Sequence, residues 1–162
     1  MRVTLSVSAL KIVGTDLLLL GTVALIPSLS HCLSLPLYLL EPMRCCLLTG
    51  MLLVPYRRNA YALALLLPFV SCLLSGMPTP LLAFVIAVEL LLNVALFQLM
   101  EKRFPVAVAM LFSILLAKVG YYLLKAWIVA PAVLISTPLL LQCLLVLFYS
   151  FLFARLQTMT KK

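Results

Sequence analysis

Six apolar runs, separated by short breaks and marked off by prolines, follow one another along this chain. They cover about residues 13–33, 37–54, 60–77, 80–100, 105–129 and 136–154. Each is close to the roughly 17–25 residues a helix needs to cross a bilayer. Pro36, Pro55, Pro78, Pro80, Pro105, Pro131 and Pro138 lie at or near run ends, where helices stop and start. Pro42 and Pro68 fall inside runs and are expected to kink or interrupt them. Breaks this short make sequential helices antiparallel neighbours. The fold expected is an all-α integral membrane protein, a compact six-helix transmembrane bundle formed by residues 1–162 as a single domain. Composition leaves little room for a soluble fold: 66% of the residues are hydrophobic and 10% charged, and a soluble chain could not bury so much apolar surface.

The net charge of +8 raises the question of nucleic acid. The basic residues stand in short pairs between apolar runs and form no continuous face, so nucleic acid is set aside as a partner. Their placement instead orients the bundle. With six crossings, Arg2, Lys11, Arg57, Arg58, Lys102, Arg103, Arg155, Lys161 and Lys162 all fall on one side, and of the interhelix cations only Lys125 approaches the other. Both termini are therefore expected in the cytoplasm. Arg2 and Lys11 ahead of the first run have the layout of a signal peptide, and Leu29-Ser30-His31-Cys32 echoes a lipoprotein cleavage site. His31 stands where a small residue is wanted, so the segment reads as an uncleaved first helix. The five cysteines have no zinc spacing and form no CxxC pair; they read as small buried hydrophobes.

Ionisable groups inside a membrane are costly and mark candidate sites. Asp16, Glu41, Arg44, Glu89 and Lys118 lie within the apolar runs, with Asn93 and Gln142, and His31 near the outer end of the first. A rise of about 1.5 Å per residue places Glu41, Arg44, Lys118 and Gln142 in the outer half and Glu89 near mid-depth, with Asn93 somewhat deeper. Glu41 and Arg44 are three residues apart and Glu89 and Asn93 four, so each pair shares a helix face. Lys118, Tyr121, Tyr122 and Lys125 form another stripe. Together these groups could line a cavity open to the outside and suited to a small polar or heterocyclic ligand. Glu41–Arg44 and Glu89–Lys118 read equally as structural ion pairs, and His31 as a headgroup-level residue. Asp16 reads as a cap of the first helix or a partner of Lys11. Tyr38, Tyr56, Tyr61 and Trp127 read as interfacial anchors. The sequence contains no GxxxxGK[ST], HExxH or GxSxG motif, and its one histidine excludes a multi-histidine metal site. Neither a cofactor nor enzymatic activity is expected.

Three stretches carry a family resemblance. Residues 39–48, LLEPMRCCLL, with Gly50 following, resemble a segment that reads approximately LPMHIPVLLAG. Residues 67–78, LPFVSCLLSGMP, and then Ala87-Val88-Glu89-Leu90, are similar to LLPLLSSLLTGMP followed by an MAxEL-like helix. Leu141-Gln142 resembles an LQ pair opening the last helix. In order, spacing and helix count the chain resembles the substrate-binding S component of energy-coupling factor (ECF) transporters, prokaryotic importers of vitamins and related micronutrients. Arg44 stands where the family commonly has histidine, Glu41 replaces an apolar residue, and Lys118 stands where arginine is frequent.

The resemblance implies a multi-pass protein of the prokaryotic cell membrane that binds a vitamin-like or nucleobase-like small molecule from outside. It also implies uptake driven by partner ATPases through a transmembrane coupling subunit. Glu89 and Asn93 would hydrogen-bond the substrate. Arg44 and Lys118 would neutralise Glu89 or hold an anionic substrate group. Gln142 and Tyr121 would add a hydrogen bond and a stacking face, with Glu41 and His31 at the outer edge. The alternatives are a structural scaffold of envelope assembly, in which the polar groups serve only as interhelix glue, and an intramembrane lipid-modifying enzyme with Glu89 as base.

Overall fold

The computed structural model describes residues 7–34, 37–54, 56–128 and 138–160. Six α-helices account for nearly all of them: α1 Val7–Leu33, α2 Pro42–Leu53, α3 Arg57–Ser75, α4 Pro80–Met100, α5 Val106–Ile128 and α6 Leu139–Thr160. A single 3-10 turn, Leu37–Leu40, precedes α2. Among the described residues there is no strand. Five helices (all but α2) are long and apolar enough to cross a membrane, which suggests a multi-pass membrane protein. The joints at Pro36, Pro55 and Pro131, the run ends at Val129 and Ser136, and the charges Arg2, Lys161 and Lys162 lie outside the described residues.

The second run departs most from expectation. Instead of one helix over 37–54, it is broken at Glu41, which takes a left-handed backbone (φ 49°, ψ 56°). The cause is Pro42. A proline disfavours the α conformation in the residue before it, and is itself suited to a first helical position. The remaining α2 has 12 residues, about 18 Å of helix against a hydrocarbon core of about 30 Å. Pro68, by contrast, does not interrupt α3, and α1 likewise runs through Pro27. Arg57 and Arg58 open α3 instead of preceding it, and Arg155 lies within α6 instead of after it.

The α3–α4 turn follows directly from its residues. Gly76 caps α3 with φ 70° and donates its N–H to the Cys72 carbonyl at 3.0 Å, a left-handed cap that glycine adopts without strain. Ser71 and Ser75 hydroxyls donate to the Met77 carbonyl at 2.8 and 3.0 Å. Pro80 then starts α4.

Two buried clusters hold the bundle together. One joins Leu19 and Val23 of α1 to Leu47 of α2, Leu63 and Leu67 of α3, and Leu90 of α4. The other joins Leu48 of α2 and Phe97 of α4 to Met110 and Ile114 of α5 and Tyr149 and Phe153 of α6. Helices α2 and α4 contribute to both and so form the centre. At Gly50 the neighbouring helices come very close: a Cβ there would stand 2.5 Å from Leu63 Cδ1 and 3.2 Å from Leu19 Cδ1. Large apolar side chains such as Leu17, Leu73, Phe84, Leu123, Trp127 and Phe151 face outward on the five long helices, a surface that suits lipid better than water. Asp16 neither caps α1, which begins nine residues earlier, nor pairs with Lys11. Its Oδ1 accepts a hydrogen bond from Asn59 Nδ2 of α3 at 2.9 Å.

Candidate functional site: a buried ring of alternating charge

Three elements bring four charged side chains together. The break before α2 supplies Glu41 and the first turn of α2 supplies Arg44; the middle of α4 supplies Glu89 and the middle of α5 Lys118. Arg44 Nη1 stands 2.8 Å from Glu41 Oε2, while Arg44 Nη2 donates to Glu89 Oε1. Lys118 Nζ donates to Glu41 Oε1 and lies 3.9 Å from Glu89 Oε1. The four close into a ring of alternating sign with no net charge. Arg44 is 3% and Glu89 6% exposed, whereas the Glu41 and Lys118 side chains are 21% and 12% exposed. The ring is therefore sealed on the Arg44–Glu89 side and opens on the Glu41–Lys118 side.

Burying a charge is tolerable only when it is paired and hydrogen-bonded, and the ring meets that demand incompletely. Arg44 Nε is buried with no hydrogen-bond partner among the described residues, and the contact of Arg44 Nη1 with Glu41 is an ion pair without hydrogen-bond alignment. One turn beyond Glu89 on α4, Asn93 is buried; Ser113 Oγ of α5 donates to its Oδ1 at 3.0 Å, and its Nδ2 has no partner among the described residues. Apart from that misaligned Arg44–Glu41 contact, which leaves Arg44 Nη1 and the acceptor Glu41 Oε2 without a hydrogen-bond partner among the described residues, the spare capacity is donor N–H: one guanidinium N–H and an amide NH₂. Glu41 itself holds a left-handed backbone, a conformation that costs a non-glycine residue about 1–3 kcal/mol and concentrates at functional sites. Its two cations and its carbonyl, which accepts from the Arg44 and Cys45 N–H groups at 3.0 and 3.1 Å, keep it there.

The remaining sequence candidates divide. Gln142 of α6 is buried and its Oε1 accepts from the Tyr122 hydroxyl at 2.6 Å. The Tyr121 ring packs edge-on against Tyr122, centroids 5.3 Å apart, and Lys125 Nζ lies 5.8 Å from the Tyr121 centroid. These groups form a second polar patch between α5 and α6, one to two turns along α5 from Lys118. His31 stands apart, exposed in the last turn of α1, with no polar side-chain contact to the ring among the described residues.

Sequence reasoning missed two supporting groups. Tyr149 of α6 donates its hydroxyl to the Leu40 carbonyl and ties the 3-10 turn ahead of Glu41 to the bundle. Its signal was spacing: Gln142, Val146, Tyr149 and Phe153 make one buried stripe on α6. Ser113, the partner of Asn93, carried no signal beyond being a hydroxyl in an apolar run. Glu89 pairs most closely with Arg44 and only at longer range with the expected Lys118. Among the described residues no group of three or more His, Cys, Asp or Glu side chains is placed to hold a metal ion. Comparison with protein-family models, with curated proteins and with solved structures finds no match to this chain.

Proposed function

We propose that this chain is a membrane-embedded substrate-capture subunit, the S component of an ECF-type importer, which takes up a small vitamin-like or nucleobase-like molecule from the outer side. The observation that carries the proposal is the buried ring with unspent donors at Arg44 Nε and Asn93 Nδ2. A ligand with carbonyl or ring-nitrogen acceptors would satisfy these donors, and a wrong ligand would leave them unpaired, which is how a site rejects close analogues. In this reading both termini are cytoplasmic, because that places Arg57, Arg58, Lys102 and Arg103 inside. The open Glu41–Lys118 side of the ring then faces outward. The chain does no chemistry itself; uptake is driven by separate ATPase subunits through a transmembrane coupling subunit.

The test is a thermal-shift screen of the purified chain in detergent against water-soluble vitamins and nucleobases. At least one compound should raise the melting temperature, and Asn93→Leu should abolish the shift while leaving the unliganded melt within a few degrees. A panel without any stabilising compound contradicts the reading. A second reading, a structural scaffold, is favoured by one feature: the four charges of the ring satisfy one another's charge without a ligand. Under that reading no compound shifts the melt.

A further inference from the structure

A second site lies about 18 Å along α4 from Glu89, twelve residues on, at the end of the bundle that carries Arg57, Arg58, Lys102 and Arg103. There a cavity of about 420 Å³ opens among the C-terminal end of α2, the start of α3, the end of α4 and the last turns of α6. Its polar side carries Arg57 and Glu101, which form an ion pair through Arg57 Nη2 and Glu101 Oε1, with Gln98 and Tyr56 beside them. Its apolar side is Phe97 and Phe153. Leu52 and Phe153 also line a much smaller, neighbouring groove between α2 and α6, bounded by Cys45, Leu48, Thr49 and Leu156.

The groove follows α2 from Cys45 to Leu52 on one side and α6 from Tyr149 to Leu156 on the other. Filling both parts takes one molecule with an anionic and a cationic group at one end and an apolar tail at the other. We infer that the cavity and groove together hold one phosphatidylethanolamine molecule, the phosphate on Arg57, the primary ammonium on Glu101 and an acyl chain between α2 and α6.

Charge complementarity selects this headgroup over its neighbours. The guanidinium offers paired donors suited to phosphate oxygens. Glu101 accepts from an N–H, which the trimethylammonium of phosphatidylcholine lacks. Phosphatidylglycerol has no cation to offset that carboxylate. Tyr56 and Arg57, 58% and 57% exposed, are residue types that settle at headgroup level. The inference rests on the membrane placement proposed above and is independent of what binds at the charge ring.

The test is native mass spectrometry on the full chain, extracted from membranes, delipidated in detergent and re-exposed to phosphatidylethanolamine, phosphatidylcholine or phosphatidylglycerol with identical acyl chains. One phosphatidylethanolamine should be retained about tenfold more tightly than either other lipid, the worth of one charge-assisted hydrogen bond. Glu101→Gln should remove its advantage over phosphatidylcholine, and Thr49→Trp, which fills the groove, should weaken all three. Equal retention of the three lipids by the unaltered chain overturns the inference, as does a preference that survives Glu101→Gln, and either result leaves the membrane reading standing. Recovery of the chain from the soluble fraction overturns both.

Discussion

Arg44→Met removes the more buried of the ring's two cations, the one in close contact with both carboxylates. Methionine occupies much of the volume of the arginine stem, so the change acts chiefly through charge. Glu41 keeps Lys118 on its Oε1, but Glu89 is left with Lys118 at 3.9 Å as its only cation among the described residues. Removing one partner of a buried pair costs about 3–5 kcal/mol, and the near-complete burial of Arg44 and Glu89 places this case within that range. Glu89→Gln alone gives the ring a net positive charge, leaves Arg44 only Glu41, and should cost about 1.5–3 kcal/mol, the worth of a charged hydrogen bond. The double variant returns the ring to neutrality with the Glu41–Lys118 pair intact. It should therefore be no less stable than Arg44→Met alone, a coupling at least as large as the cost of Glu89→Gln, about 1.5–3 kcal/mol, in the favourable direction. Helical circular dichroism through reversible unfolding in mixed detergent micelles measures all three variants. Losses that add within about 0.5 kcal/mol, as they do for independent sites, would refute the ring as a coupled unit.

Two further outcomes follow from packing and topology. Gly50→Ala places a methyl 2.5 Å from Leu63 Cδ1 and should destabilise the chain by about 1–3 kcal/mol, read as a lower melting temperature in detergent; an unchanged melt would show that α1, α2 and α3 are less closely packed there. In a background lacking the native cysteines, a cysteine replacing Thr79 should react with an impermeant thiol reagent in intact cells and one replacing Asn59 should not. The reverse pattern would turn the ring toward the cytoplasm.

Helix number and most helix bounds were legible in the sequence because apolar runs alternate with proline and with charge, and both act locally. Pro42 signalled a disturbance, and the left-handed Glu41 is that disturbance resolved: a proline at a first helical position and a turned residue before it. Face-sharing within a helix was legible too, since Glu41 with Arg44, and Glu89 with Asn93, depend only on helical period.

Partner choice between helices was legible only at Glu89, where Arg44 and Lys118 were both expected as neutralising partners. The pairings Asn59–Asp16 and Arg57–Glu101 span 43 and 44 residues, and nothing in a single helix's pattern says which neighbour its polar face meets. Glu101 went unremarked because it adjoins Lys102 and Arg103 and reads with them as loop charge. The cavity at that end is formed where four helices terminate, each lending a side or two, so no one segment announces it.

The central claim is that the ring and Asn93 receive a small molecule. The most direct measurement is mass spectrometry of what copurifies with the chain, compared between the unaltered protein and the charge-balanced Arg44→Met, Glu89→Gln variant. A discrete small polar compound is expected with the former, in near-stoichiometric amount, and none with the latter although that variant still folds. No such compound with the unaltered chain, or equal amounts with both, would contradict it.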